Sequence, residues 1–348
     1  MTDVTQSPQA GQREQDETLD QAPDGLTDGH GGEHAVAVAA AHGVDTMFTL
    51  SGAHVFPMYD GAVNAEPQMR LLDVRHEQTA VFAAEALGKL TRTPGLAVLT
   101  AGPGVTNGVS AITQASFSGS PLVVVGGRAP ANRWGMGSLQ EFDHPAVLGP
   151  VTKSSRTVHQ VADIPSSVDE AFALAGSSHR GPTFLDIPMD EFFNRAAVER
   201  PTPAPPRRVQ PDPDALSEIG ALLGQAQRPV IVLGTDVWAD GAEEAALRLV
   251  EQAGIPAITN GMGRGVVPGG HPLLMTKARG AALGTCDLVV VVGTPLDFRL
   301  GYGVFGGKDG APQAKVVHVA DSEGQVSQHA DLAASAAGDL TLALEGIQ

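Results

Sequence analysis

The sequence predicts an α/β protein made of two doubly wound parallel-sheet domains. Three observations carry this. Between His34 and Phe193 apolar runs alternate with helical stretches and glycine turns, the rhythm of βαβ units whose sheet is covered on both faces. A proline-rich run over residues 200–208 follows, a stiff extended linker by composition. From Asp214 the first rhythm starts again. A length of 348 residues suits two such domains, each able to bury a core.

Taken in order, residues 1–32 are rich in Gln, Asp, Glu and Gly and hold too few large apolar side chains to offset ordering entropy, so they read as a disordered tail. The first domain spans 33–195. In it, residues 44–53 form a strand leaving into a Gly turn, and a helix contains Pro57, Met58, Tyr59 and Asp60. Leu71-Leu72-Asp73-Val74 reads as a short buried strand, and residues 80–87 as a helix of small apolar residues. Residues 97–107 give another strand and Gly turn, and residues 121–125 and 183–188 suit inner strands. The linker covers 196–213 and the second domain 214–348. Its strands are residues 229–234, 255–258, 288–293 and 315–319, residues 242–253 are its clearest helix, and residues 338–344 its last.

The formal net charge of −17 argues against a nucleic acid or an anionic membrane as partner. The single cysteine, Cys286, excludes an intramolecular disulfide and reads as a buried residue at a strand start. No run of eighteen apolar residues offers a membrane span, and the first residues lack the features of a secretory or transit leader, so the expected location is cytoplasmic. No clean strand-Gly-x-Gly-x-x-Gly-helix unit and no Gly-Lys-Ser/Thr phosphate loop occurs. Gly261-Met262-Gly263-Arg264-Gly265 is open between a tight turn and a phosphate cradle. The nucleophile elbow Gly-x-Ser-x-Gly is absent, and the zinc spacing His-Glu-x-x-His fails at Ala80.

Glu77 remains, in Arg75-His76-Glu77-Gln78-Thr79-Ala80, at the entrance of a helix. There a carboxylate gains about 0.3–1 kcal/mol from the helix dipole, and a lone carboxylate beside glycines also suits a flat heterocycle. Together with residues 44–53, 97–107, 121–128 and Ser138-Leu139-Gln140-Glu141, this ordered set resembles thiamine-diphosphate enzymes, with the likeness strongest to the acetolactate synthase large subunit. The likeness covers about residues 33–345.

The resemblance implies a pyrimidine-binding domain over 33–195 and a middle domain over 214–348, with thiamine diphosphate as cofactor. By it Glu77 is the cofactor's activating carboxylate, Gly52 lets the backbone approach the pyrimidine, and Asn107 is a polar neighbour. Gln140, Leu139 and Pro130 map to the substrate channel; Leu139 replaces the usual phenylalanine. A plain turn at Gly52, a helix-start role for Asn107 and loop roles for Gln140 and Pro130 stay open. The resemblance admits FAD in the middle domain, with Arg264 and Arg299 as the cations facing its phosphates and His179 where the family has arginine. The family's Mg²⁺-diphosphate domain, marked by Gly-Asp-Gly and a later asparagine, is not found, so the Mg²⁺ ligands are expected from a missing domain and the chain alone is expected to be inactive. It reads as a fragment or as half of a split enzyme, working as a homodimer or tetramer or with a separate diphosphate-domain subunit. The implied reaction decarboxylates pyruvate and joins it to a second 2-keto acid, as in branched-chain amino-acid biosynthesis. A 2-hydroxyacyl-CoA lyase or another carboligase is the alternative, and a noncatalytic two-domain binding module a third reading. A nicotinamide dehydrogenase rests on the α/β rhythm alone.

Overall fold

The computed structural model describes residues 25–347. The first domain carries strands β1 (Thr27–His30), β2 (Thr46–Thr49), β3 (Arg70–Asp73), β4 (Gly95–Leu99), β5 (Leu122–Arg128), β6 (Ser154–Thr157), β7 (Pro182–Pro188) and β8 (Arg195–Val198). Its helices are α1 (Gly31–Ala41), α2 (Phe56–Asn64), α3 (Glu77–Thr91), α4 (Pro103–Phe117), α5 (His144–Leu148), α6 (Ile164–Gly176) and α7 (Met189–Phe193). The second domain holds α8 (Pro213–Gln225), β9 (Pro229–Leu233), α9 (Thr235–Ala239), α10 (Glu243–Ala253), β10 (Ala257–Thr259), α11 (Arg279–Thr285), β11 (Leu288–Val292), β12 (Lys315–Ala320), β13 (Ala334–Ala337) and α12 (Leu340–Gly346).

Two parallel sheets result, ordered β3-β2-β4-β5-β7-β6 and β10-β9-β11-β12-β13. The Val-rich stretches of β5 and β11 are buried on both faces because helices cover both sides of each sheet. In the first domain Met47, Met58, Val123 and Phe172 fill one face, and Ala80, Ala84, Leu99, Ile112 and Phe184 the other. The small side chains of α3 bring it close to β4, which explains why this helix is rich in alanine.

Three expectations need correction. Of the tail expected over residues 1–32, positions 1–24 lie outside the described residues, but Thr27–His30 pairs antiparallel with β8 and His30 makes a capping box with Glu33. The pairing is reinforced by Arg195 Nη2 to Asp28 Oδ2 at 2.6 Å. The linker therefore starts after Val198, not at residue 196. The strand at residues 71–74 is not buried: β3 pairs on one side only and its residues are half-buried or exposed.

The linker is fastened at both ends, by Arg200 Nε to His34 Nδ1 at 3.2 Å and by Arg208 Nε to Asp339 Oδ2 at 2.7 Å. The domains also touch directly. Trp238 Nε1 donates to the Lys89 carbonyl at 2.8 Å beneath the Arg92 guanidinium, which also pairs with Glu243. Arg180 Nη1 meets Asp240 Oδ1 at 2.7 Å, and His179 Nδ1 meets Asp321 Oδ2 at 2.9 Å. Cys286 is buried at the start of β11, as its sequence context indicates. Among the described residues no helix is long and apolar enough to cross a membrane.

In each sheet there is a point where the connections leave two adjacent strands in opposite directions. This reversal falls between β2 and β4 in the first and between β9 and β11 in the second. A crevice outside the carboxyl ends of strands at such a point is where open α/β sheets bind ligands.

Candidate cofactor site

The first crevice is built from the turns after β2 and β4. Gly52 follows β2 and Thr100 follows β4, and the two are in contact: a Cβ on Gly52 would lie 2.3 Å from the Thr100 Cβ and Oγ1. Gly104 packs on the same threonine, with its missing Cβ 2.6 Å from Thr100 Cγ2 and 3.7 Å from Glu77 Oε1. Glycine at both positions is what lets a carboxylate, a threonine and two turns share this small volume.

Glu77 is the first residue of α3, where the His76 ring caps the helix by accepting from Gln78 N–H at 3.2 Å. Its side chain is only 8 % exposed. Asn107 Nδ2 donates to Glu77 Oε2 at 2.9 Å, and among the described residues no donor reaches Oε1. Asn107 stands one turn inside α4, so the helix-start role considered for it does not apply.

The turn feeding α4 is held from below. Gly102 has φ 58° and ψ −117°, a left-handed conformation that favours glycine. Its N–H donates to His144 Nε2 at 2.8 Å, so the imidazole proton sits on Nδ1 and is given to Asp186 Oδ1 at 2.8 Å. Asp186 Oδ2 takes Arg128 Nη1 at 2.5 Å, and the guanidinium lies 3.5 Å over the Trp134 ring. His144 and Asp186 are fully buried. His54, also buried, reaches Thr100 Oγ1 through Nδ1 at 3.1 Å, and desolvation is the main cause that pushes its pKa down.

The structure therefore brings Gly52, Glu77 and Asn107 together. Gln140 joins them from the following loop, with φ 56° and its Cβ 2.9 Å from where a Gly102 Cβ would be. Leu139 beside it is 74 % exposed, and Pro130 opens the short turn after β5 at the same end of the sheet. Thr100, His54, His144, Asp186 and Arg128 are the site-building residues that motif reasoning passed over. One signal was present, an acid at 186 between Leu185 and Ile187 in an otherwise apolar inner strand.

Arg264 and Arg299 lie in the other domain, and Arg279 Nη2 donates to the Arg299 carbonyl at 2.6 Å. Arg264 and Arg279 line a cavity of about 470 Å³ at the end of β10. Arg299 is closed on Asp297, with Nη2 to Oδ2 at 2.6 Å and Nε to Oδ2 at 2.9 Å, and that bond raises its pKa. In residues 261–265 the N–H groups of Gly261, Met262, Gly263 and Arg264 are all bonded within the protein, which makes the segment a tight turn and not a phosphate cradle. At the second strand-order reversal Gly234 and Gly293 are in contact, and Asp236, Asp240 and Asp321 crowd the strand ends. Those carboxylates do not fit the diphosphate of FAD.

Thiamine diphosphate is different. A carboxylate with one oxygen held by an amide, the other without a donor among the described residues, and glycine backbone alongside suits a protonated ring nitrogen of a planar heterocycle. Two His and acid clusters occur among the described residues, His30/Glu33/Asp60 and His179/Asp236/Asp321, and neither includes Glu77.

A strand-order crevice with a buried acid at a helix entrance and a second doubly wound domain behind it define a two-domain α/β protein with a ligand-binding crevice. The family model described as thiamine pyrophosphate enzyme, N-terminal TPP binding domain, matches residues 29–147, and that of the central domain matches residues 216–347. The chain belongs to the thiamine pyrophosphate enzyme family. It is 48% identical over 323 residues to the acetolactate synthase large subunit of Mycobacterium tuberculosis, covering 91% of this chain and 58% of that protein. It is 34% identical over 311 residues to 2-hydroxyacyl-CoA lyase 2 of Homo sapiens, covering 79% of this chain and 49% of the relative. The same lyase of Caenorhabditis elegans is also 34% identical, with 48% of its length covered. The chain thus spans about half to three-fifths of the curated relatives it matches.

Proposed function

We propose that this chain supplies the pyrimidine-binding and middle domains of an acetolactate synthase-type carboligase that takes 2-keto acids, pyruvate first, in the cytoplasm. The observation that carries the reading is the Glu77 carboxylate, almost out of water at the strand-order reversal, with one oxygen held by Asn107 and the other without a donor among the described residues.

When bound, thiamine diphosphate supplies the carbanion-stabilising centre of such chemistry. The chain's own contribution is positional. Glu77 Oε1 holds a proton at the cofactor's pyrimidine ring; Asn107 fixes the rotamer of that carboxylate. Gly52 and Gly104 give the ring its approach. Gln140, Leu139 and Pro130 border the substrate's path. Mg²⁺ and the diphosphate are assigned to a diphosphate-binding domain outside these two, met across a homodimer or a subunit contact. FAD has no part in this reading.

The test is Glu77→Gln in an assembly that contains the diphosphate-binding domain. Removing a positioned acid/base group costs about 10²–10⁴-fold, so acetolactate formation from pyruvate should nearly vanish. Turnover within tenfold of wild type would refute the role.

A second reading, a 2-hydroxyacyl-CoA lyase, is favoured by exposed Leu139 in the channel loop and by the lyase relatives. Cleavage of a 2-hydroxyacyl-CoA by an assembly that leaves pyruvate untouched would select it.

A further inference from the structure

We propose that His179, Asp236 and Asp321 form a binding site for one first-row divalent cation, of the zinc type, that pins the two domains together. The three come from separate elements: His179 from the loop between α6 and β7, Asp236 from α9, and Asp321 from the residue after β12. Their ligand atoms all lie within 4.8 Å of one another. His179 Nδ1 stands 2.9 Å from Asp321 Oδ2 and 3.7 Å from Asp236 Oδ1.

Asp236 supplies an independent indication of a missing partner. It is 7 % exposed, and among the described residues its carboxylate accepts no hydrogen bond. His179 Nδ1 at 3.7 Å is too far to donate one. A carboxyl group this deep without a donor keeps its charge only beside a cation. The neighbouring cations are engaged elsewhere. Arg180 is taken by Asp240 at 2.7 Å, and Lys153 Nζ is spent on the Leu174 and Ser177 carbonyls and the Ser177 hydroxyl. One imidazolium would balance only one of the two acids. A divalent ion balances both, with the histidine neutral.

The geometry suits such an ion. Bonds of 2.0–2.2 Å in tetrahedral arrangement put ligand atoms about 3.4 Å apart, and the observed 2.9 and 3.7 Å bracket that spacing. The imidazole is already aimed, because its far edge packs on Gly119, where a Cβ would lie 2.5 Å from Nε2. Asp321 is steadied by Ser322 Oγ donating to its Oδ1 at 3.2 Å. One nitrogen and two carboxylates favour Zn²⁺ or Mn²⁺ over the oxygen-seeking Mg²⁺ and Ca²⁺. His179 is partly exposed, which leaves an entry path and room for water as a fourth ligand.

The experiment titrates the chelator-treated full chain with ZnCl2, MnCl2 and MgCl2 by calorimetry, with melting temperature read in parallel. Expected are one Zn²⁺ per chain, weaker Mn²⁺, no measurable Mg²⁺, and a rise in melting temperature with Zn²⁺. Asp236→Asn, which keeps shape and removes a charge without a donor, should weaken Zn²⁺ binding by about a hundredfold or more and melt no lower than wild type in chelator. His30→Ala, in the other acid cluster, should bind Zn²⁺ as wild type does. No stoichiometric Zn²⁺, equal affinity in Asp236→Asn, or loss of binding in His30→Ala would each overturn the proposal.

Discussion

Asn107 reaches from α4 to α3 and donates its side-chain amide to Glu77 Oε2 at 2.9 Å. The bond joins the two helices that enter from either side of the crevice and leaves the carboxylate one oxygen for a ligand. A hydrogen bond to a charged group contributes about 1.5–3 kcal/mol. Asn107→Ala should therefore lower turnover in the assembled enzyme about tenfold to a hundredfold, less than Glu77→Gln, and lower the chain's own stability by about 1–3 kcal/mol. Steady-state kinetics and urea unfolding check the two effects separately. Unchanged values in both would mean the amide does not hold Glu77.

The contact of Gly52 with Thr100 predicts a coupled pair. Gly52→Ala places a methyl 2.3 Å from Thr100 Cβ, and overpacking of this kind costs about 1–3 kcal/mol. Adding Thr100→Gly should restore part of the loss, because the clash is with that side chain and not with backbone. Urea midpoints of the two single variants and the double variant measure the coupling. Strict additivity would show that the turns relax apart.

Much of this was readable in the residues. The two parallel sheets follow from Val-rich runs between glycine turns, and Glu77, Gly52 and Asn107 stand together because motifs at strand ends meet wherever strand order reverses. Local reading failed where long-range pairing decides. Residues Thr27–His30 look like a tail until Arg195–Val198, far along the chain, supplies a partner strand. The apolar pair Leu71 and Leu72 reads as buried, yet β3 is an edge strand, a matter of sheet order that periodicity does not encode. Asp240 and Asp321 carry no local motif, and only the first domain's Arg180 and His179, brought against them by the fold, give them partners.

The supports under Gly102 make a stability prediction. Asp186 joins Arg128 and His144 in a pocket closed to solvent, and its removal strands a guanidinium and an imidazole N–H at once. Breaking a buried pair from one side costs about 3–5 kcal/mol, so Asp186→Ala should lose that much in urea unfolding. Amide exchange at Gly102 should accelerate with it, since the N–H depends on His144 Nε2. A loss below about 1 kcal/mol would place this network among weak surface pairs.

In the second domain His318 makes the chain acid-sensitive. Its Nδ1 accepts the Ser327 N–H at 3.0 Å and its Nε2 donates to the Thr294 carbonyl at 3.1 Å, so the neutral ring is satisfied on both sides. A second proton would face an N–H donor. Burial, the largest cause, accordingly depresses its pKa from the ordinary 6.5. The unfolded chain then binds the proton more readily, so between the depressed value and 6.5 stability rises with pH. The contribution is complete above that upper value and is lost as the pH falls through the folded pKa. His318→Gln removes this titration but also perturbs packing, so its cost should be largest near neutral pH and shrink steadily under acid. Urea unfolding of both proteins across that window gives the difference directly, and a gap that stays constant with pH would show that His318 does not titrate on unfolding.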